Sequence, residues 1–203
     1  MSQLRMLVVM ASVAGALSIA PGAIAAPPAL QDLNPPPPDG YTCKVVGGGT
    51  ICTGSFPEDV YEPAVECGSG ADAFLTYDHS HLDRQATRWY DRDGNLTRRV
   101  FHDQWIDAQW ENPLSGRFVP YHQNDTITDE LLVPGDLSSA RETTVGNNVM
   151  IDPLTHRKVL QATGRTVIGA DGSLEFRSGK QPFLDSFIDG DMSVFDDLCA
   201  ALA

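Results

Sequence analysis

The chain is 203 residues long, with 27 Asp and Glu against 14 Lys and Arg and a formal net charge of −13 at pH 7. That length suffices for one domain with a core of its own. The charge excludes nucleic acid and anionic lipid surfaces as partners, because phosphate binding needs clustered Lys and Arg and the longest basic cluster is Arg98-Arg99.

Met1–Ala25 reads as an export signal. Arg5 precedes an apolar run from Met6 to Ala20, Pro21-Gly22 breaks that run, and Ala23-Ile24-Ala25 offers the small-x-small pattern of a signal peptidase site. The run is too short for a comfortable membrane span, so the sequence predicts a secreted or cell-envelope exterior protein with no membrane span. Residues 26–40 hold six prolines between Pro27 and Pro38, a composition that favours extended polyproline; they read as a linker that tethers the domain. Residues 41–203 form the remaining unit, a single disulfide-bonded β domain that opens with a hairpin over 41–55.

Four cysteines follow the signal, which fits an oxidising compartment. Glycine accepts positive φ at no steric cost, so Gly47-Gly48 suits a two-residue hairpin loop. That register sets Cys43 opposite Cys52 in a non-hydrogen-bonded pair, with Cα atoms about 4.5 Å apart. Cys67 and Cys199 are then left to close nearly the whole domain. Four cysteines allow three pairings, and geometry prefers Cys43–Cys52 with Cys67–Cys199. Zinc is disfavoured because no Cys-x-x-Cys spacing occurs.

From Ala71 to Arg177 the chain reads as strands joined by turns. Asp93-Gly94-Asn95 and Asp171-Gly172-Ser173 suit tight hairpins. Asn112-Pro113-Leu114-Ser115-Gly116 and Asp152-Pro153-Leu154-Thr155 place proline where a type I turn takes it, and Val133-Pro134-Gly135-Asp136 reads as a type II turn. Between turns the apolar residues alternate with period two, and no amphipathic helix is evident before Asp185. Ser193–Ala203 alone looks helical, with Val194, Leu198 and Leu202 on one face. The predicted fold is all-β, an antiparallel meander that is barrel-like, with a β-sandwich as the alternative, and with a short C-terminal helix.

Cys67-Gly68, Arg88-Trp89-Tyr90-Asp91, Asn112-Pro113-Leu114-Ser115-Gly116, Val133-Pro134-Gly135-Asp136-Leu137, Gly164-Arg165 and Leu198-Cys199 are landmarks spread over 41–203. In these the chain resembles small exported proteins of actinobacteria that have no assigned activity. The resemblance implies export and a shared fold, and no catalytic residue.

Three constellations bear on chemistry. In Asp78-His79-Ser80-His81-Leu82-Asp83, a strand projects His79 and His81 to the same face, as two imidazoles sharing a divalent metal require; a third ligand would come from His102, Asp103 or His122. Asp91-Arg92-Asp93-Gly94-Asn95 lacks the glycine placement and downstream glutamate of a calcium loop. Strict alternation places His102 and Gln104 with Val100, Ile106, Ala108 and Trp110, and places Tyr121 and Gln123 with Val119, Asp125 and Ile127. Polar side chains on a core face need partners, and a lumen lined by His102, Gln104, Tyr121 and Gln123 would suit a small ligand.

The leading expectation is an exported non-enzymatic β domain that binds a small molecule or an envelope protein. The alternatives are a secreted metal-assisted hydrolase using His79 and His81, and a structural envelope protein. No cofactor is implied beyond that divalent metal. Cleavage after Ala25 predicts a mature chain beginning Ala26-Pro27-Pro28, which N-terminal sequencing of the exported protein checks; recovery of the intact Met1 form from the cytoplasm alone would refute the export signal.

Overall fold

A computed structural model describes residues 32–203, so the signal expected over Met1–Ala25 lies outside the described residues. One sheet dominates them, built from β1 (Thr42–Val46), β2 (Gly49–Cys67), β3 (Phe74–Tyr90), β4 (Leu96–Asn112), β5 (Arg117–Leu131), β6 (Ala140–Ile151), β7 (Lys158–Ile168) and β8 (Leu174–Lys180). The strands pair in chain order, each antiparallel to the next, which is a pure meander. It is a single sheet, which corrects the sandwich alternative, and no ladder joins β1 to β8.

Local chemistry sets each reversal. Pro134 and Gly135 occupy the centre of a β-turn closed by Asp136 N–H on Val133 O at 3.0 Å, and Gly135 has φ +85°, the value a type II turn demands there. The Asn112 side chain accepts from Leu114 N–H (2.9 Å) and the Asp152 side chain from Leu154 N–H (2.9 Å), so each folds the backbone after it. The β1–β2 register pairs Val46 with Gly49 and Cys43 with Cys52. Disulfides join Cys43 to Cys52, with Cα atoms 4.0 Å apart, and Cys67 to Cys199.

The residues after β8 are more helical than the sequence reading allowed. Helix α1 (Pro182–Asp189) precedes a 3₁₀ turn over Met192–Phe195 and helix α2 (Asp196–Leu202). Two signals for α1 were available: Pro182 at its first turn, where a missing N–H costs nothing, and Gly190 in the left-handed region (φ +67°) at its end. Arg177 on β8 anchors it by donating to Asp185 at 2.6 Å. Asn112 Nδ2 and Ser115 Oγ donate to the Leu202 carbonyl at 3.0 and 3.1 Å, supplying partners to the open end of α2.

All this helix packs on one face, hereafter the inner face. Phe195, Leu198 and Leu202 are buried against Ala108, Trp110, Val119, Tyr121, Met150 and Leu160, which come from β4 to β7. The sheet curls about this face: Tyr121 on β5 reaches across β4 to donate to Asp78 on β3. A second apolar cluster closes the opposite end, where Leu33 is buried with Cys52, Tyr90, Leu96 and Leu131.

Leu33 amends the reading of residues 26–40 as a tether. Asn34 N–H donates to Gly94 O and Leu96 N–H to Asn34 O, both at 2.8 Å, while Tyr90 Oη donates to Pro35 O at 3.0 Å. Proline lacks an N–H but keeps a carbonyl acceptor, so the last part of the stretch straps onto the β3–β4 hairpin.

The two disulfides constrain unequal loops, 9 and 132 residues in separation. In the chain-entropy account they stabilise by about 3 and about 5 kcal/mol. Replacing Cys67 and Cys199 by Ala should therefore lower the urea midpoint more than replacing Cys43 and Cys52. The reverse order would show that local strain, not loop closure, sets their contributions.

Candidate functional site

Between its two apolar ends the inner face is polar. Arg84 clamps Asp103 with Nε on Oδ1 at 2.8 Å and Nη2 on Oδ2 at 2.6 Å, and Arg99 pairs with Asp129; both carboxylates are buried. Phe101 lies between the two guanidiniums, 5.3 Å from that of Arg84 and 5.4 Å from that of Arg99. These pairs are satisfied, so they brace the centre of the trough.

Beside them runs an incompletely satisfied chain. Asn148 Nδ2 donates to Gln123 Oε1, and Gln123 Nε2 donates to Asp125 Oδ2 at 2.5 Å. Asn148 is 4% exposed, yet its Oδ1 has no partner. These groups line a cavity of about 90 Å³ beneath α1, with Gln181 and Phe183 above and Gly146 and Gly164 in the floor. A Cβ on Gly146 would overlap the Asp125 carboxylate, so only glycine lets that acid lie flat on the sheet.

Phe183 also walls a second cavity, of about 340 Å³, toward the Cys67 end. Asp78 and Trp110 lie in its lining, with Phe195 and the β2 segment from Glu62 to Glu66. The Tyr121 hydroxyl donates to both Asp78 oxygens, at 3.0 and 2.9 Å. Burial pushes the Asp78 carboxyl above its ordinary range, against the opposing pull of the Tyr121 hydrogen bond. Burial likewise raises Asp125, opposed by the Gln123 amide. Tyr121 is pushed far up by burial and stays protonated, as a donor must.

The four residues expected to line one lumen do not share a face. Tyr121 and Gln123 are on the inner face, but His102 and Gln104 are on the outer one, paired with Thr126 and Asn124. The cause is a bulge in β4 between Trp105 and Gln109: three β4 residues oppose two on β5, and two oppose Ser80 on β3. Asp107 has φ +50°, a conformation that short polar side chains tolerate best. The extra residue inverts the alternation, so Phe101, Asp103 and Trp105 face inward before it and Ala108 and Trp110 after it. His102 Nδ1 contacts Thr126 Oγ1 at 3.1 Å, beside an outer depression of about 340 Å³.

His79 and His81 do fall on one face, the outer, yet take different partners. His81 Nδ1 bonds Asp59 at 2.7 Å, and His79 lies 3.9 Å from Glu111 and edge-on to Tyr61. His102, Asp103 and His122 do not join them, and among the described residues no group of three or more His, Cys, Asp or Glu side chains is spaced to hold a metal ion. No helix among them is long and apolar enough to cross a membrane.

Sequence reasoning missed Asp78, Asn148, Trp110 and Phe183 as site residues. The signal for the first was parity: Asp78, Ser80 and Leu82 share the strand face opposite His79 and His81. Nothing local marks Asn148, whose role depends on Gln123 across the β5–β6 ladder.

A carboxyl raised by burial makes the folded chain hold a proton that the unfolded chain releases. Its favourable contribution is therefore present in acid and lost as pH rises from the unfolded value through the raised folded one. Asp78→Asn removes the buried charge and keeps an oxygen for the Tyr121 hydroxyl. Its melting temperature should exceed that of the parent at pH 7, with the gap closing in acid once Asp78 itself is protonated; a gap independent of pH would refute a buried charge at Asp78. Comparison with protein-family models, with curated proteins and with solved structures finds no match for the chain.

Proposed function

We propose that the protein is an exported, non-enzymatic domain that binds a small ligand on its inner face, under α1, where Phe183 divides the two cavities. The observation that carries this reading is the unpartnered Asn148 Oδ1, buried in the lining of the smaller cavity. Leaving such a group unpaired costs roughly 1–3 kcal/mol, and a ligand donor offsets that cost. The sheet is not closed between β1 and β8, so the trough is open along that edge. Two disulfides accord with export into an oxidising compartment. No comparable reading attaches to His79 and His81, whose side chains are each engaged separately.

The test is an NMR titration of the purified, isotope-labelled protein with fragments bearing hydroxyl, amide or amine groups. Hits should move backbone signals of Gly146, Asn148 and Phe183. Binding confined to the outer depression around His102 and Gln104 would overturn the assignment to the inner face.

A further inference from the structure

The larger cavity has a chemical bias. Trp110, Phe183 and Phe195 form an aromatic wall with ring centroids 5.7 to 6.2 Å apart. Every charged group in the lining is a carboxylate: Glu62, Glu66 and Asp78, with no Lys, Arg or His among them. Glu62, paired with Asp78 on the inner face, is exposed at the mouth and Asp78 is half-buried deeper in, while Glu66 pairs with Leu75 and turns its side chain to the outer face. At about 340 Å³ the space is ample for a phenyl group with a short chain, since an apolar cavity near 150 Å³ takes up benzene.

These features select one class of occupant. An anion meets the carboxylates of Glu62 and Asp78 and no counter-charge. A neutral apolar molecule fills the wall but strips water from Asp78 and gives nothing back. A small hydrated cation gains from the carboxylates and nothing from the aromatics. A lipophilic ammonium satisfies both, because aromatic faces attract cations as well as covering apolar surface. The net charge of −13 also favours the approach of a cation.

We infer that this cavity binds a lipophilic amine, with its ammonium against Asp78 and its apolar body against Trp110, Phe183 and Phe195. The Tyr121 hydroxyl, by donating to both Asp78 oxygens, holds the carboxylate in place before the ligand arrives. Burial of Asp78 supports the assignment, since its donor Tyr121 is neutral and a half-buried carboxylate without a cationic partner gains from an ammonium. The inference rests on the reading of the inner face as a ligand site and names the ligand class for its larger compartment.

The experiment titrates the purified full chain with 4-phenylbutylamine, 4-phenylbutan-1-ol and 4-phenylbutyrate, following the Trp110 indole N–H signal, which is assigned by its loss in Trp110→Phe. The amine should bind at least tenfold more tightly than the alcohol, and the carboxylate should not saturate. Asp78→Asn should abolish the preference for the amine over the alcohol. The exposed variant Glu62→Gln should keep the fold and weaken the amine severalfold, and Glu66→Gln, on the outer face, should leave its affinity within about twofold. Equal affinity of amine and alcohol, or an amine preference that survives Asp78→Asn, would overturn the inference while leaving a ligand site on the inner face. If none of the three probes nor the fragment set moves any inner-face signal, the inference and the reading beneath it both fall.

Discussion

A single sheet of eight strands exposes two faces, and among the described residues the segments before β1 and after β8 are what covers one of them. The residues after β8 cover one end of the inner face through Phe195, Leu198 and Leu202, and the segment before β1 covers the other through Leu33. Burial of each such side chain stabilises by about 1.5–3 kcal/mol, enough to fix both segments on the sheet. The Cys67–Cys199 bond makes the first attachment covalent. What neither segment reaches, the middle of the face, stays wet and polar.

A greasy middle would leave an apolar patch facing water, and a freely polar one would have nothing to order it. Paired charges meet both demands. Asp103 and Asp129 are buried, each held by an arginine from a neighbouring strand, and Phe101 separates the two guanidiniums. Such pairs add little net stability over an apolar core, but breaking one leaves a stranded charge at a cost of roughly 3–5 kcal/mol. Their effect is on register: a one-residue slip of β4 against β3 would part Asp103 from Arg84, and a slip against β5 would part Asp129 from Arg99.

Turns were the most legible part of this chain, because Asn-Pro, Pro-Gly and Asp-Gly pairs act through their own backbone and side chains and need no tertiary context. From them comes the expectation of a meander with a sandwich as its alternative, and the strands do pair in chain order. Two features resisted. Helix α1 has a short apolar pattern, and its stability comes from docking and from Arg177, which local periodicity does not display. The β4 bulge resisted because alternation is a rule about neighbours, and one residue in the left-handed region resets it for all that follow. The trace left in the sequence is the spacing of Trp105, Ala108 and Trp110, three and then two, around a mid-strand aspartate. That single reset moves His102 and Gln104 from the inner face to the outer one.

The same irregularities account for the larger cavity. Its lining draws on β2 where the register shifts between Pro63 and Glu66, and on β4 just past the Asp107 bulge. A bulge bends a strand and increases its twist, so a helix cannot lie flush against two of them. The apolar side chains of α1 and of the 3₁₀ turn therefore bridge the gap, with Phe183 and Phe195 meeting Trp110 edge-on or tilted. The distortion leaves Asp78 beneath a roof that does not close, partly desolvated but still reachable, and a carboxylate gains most from a ligand under those two conditions together.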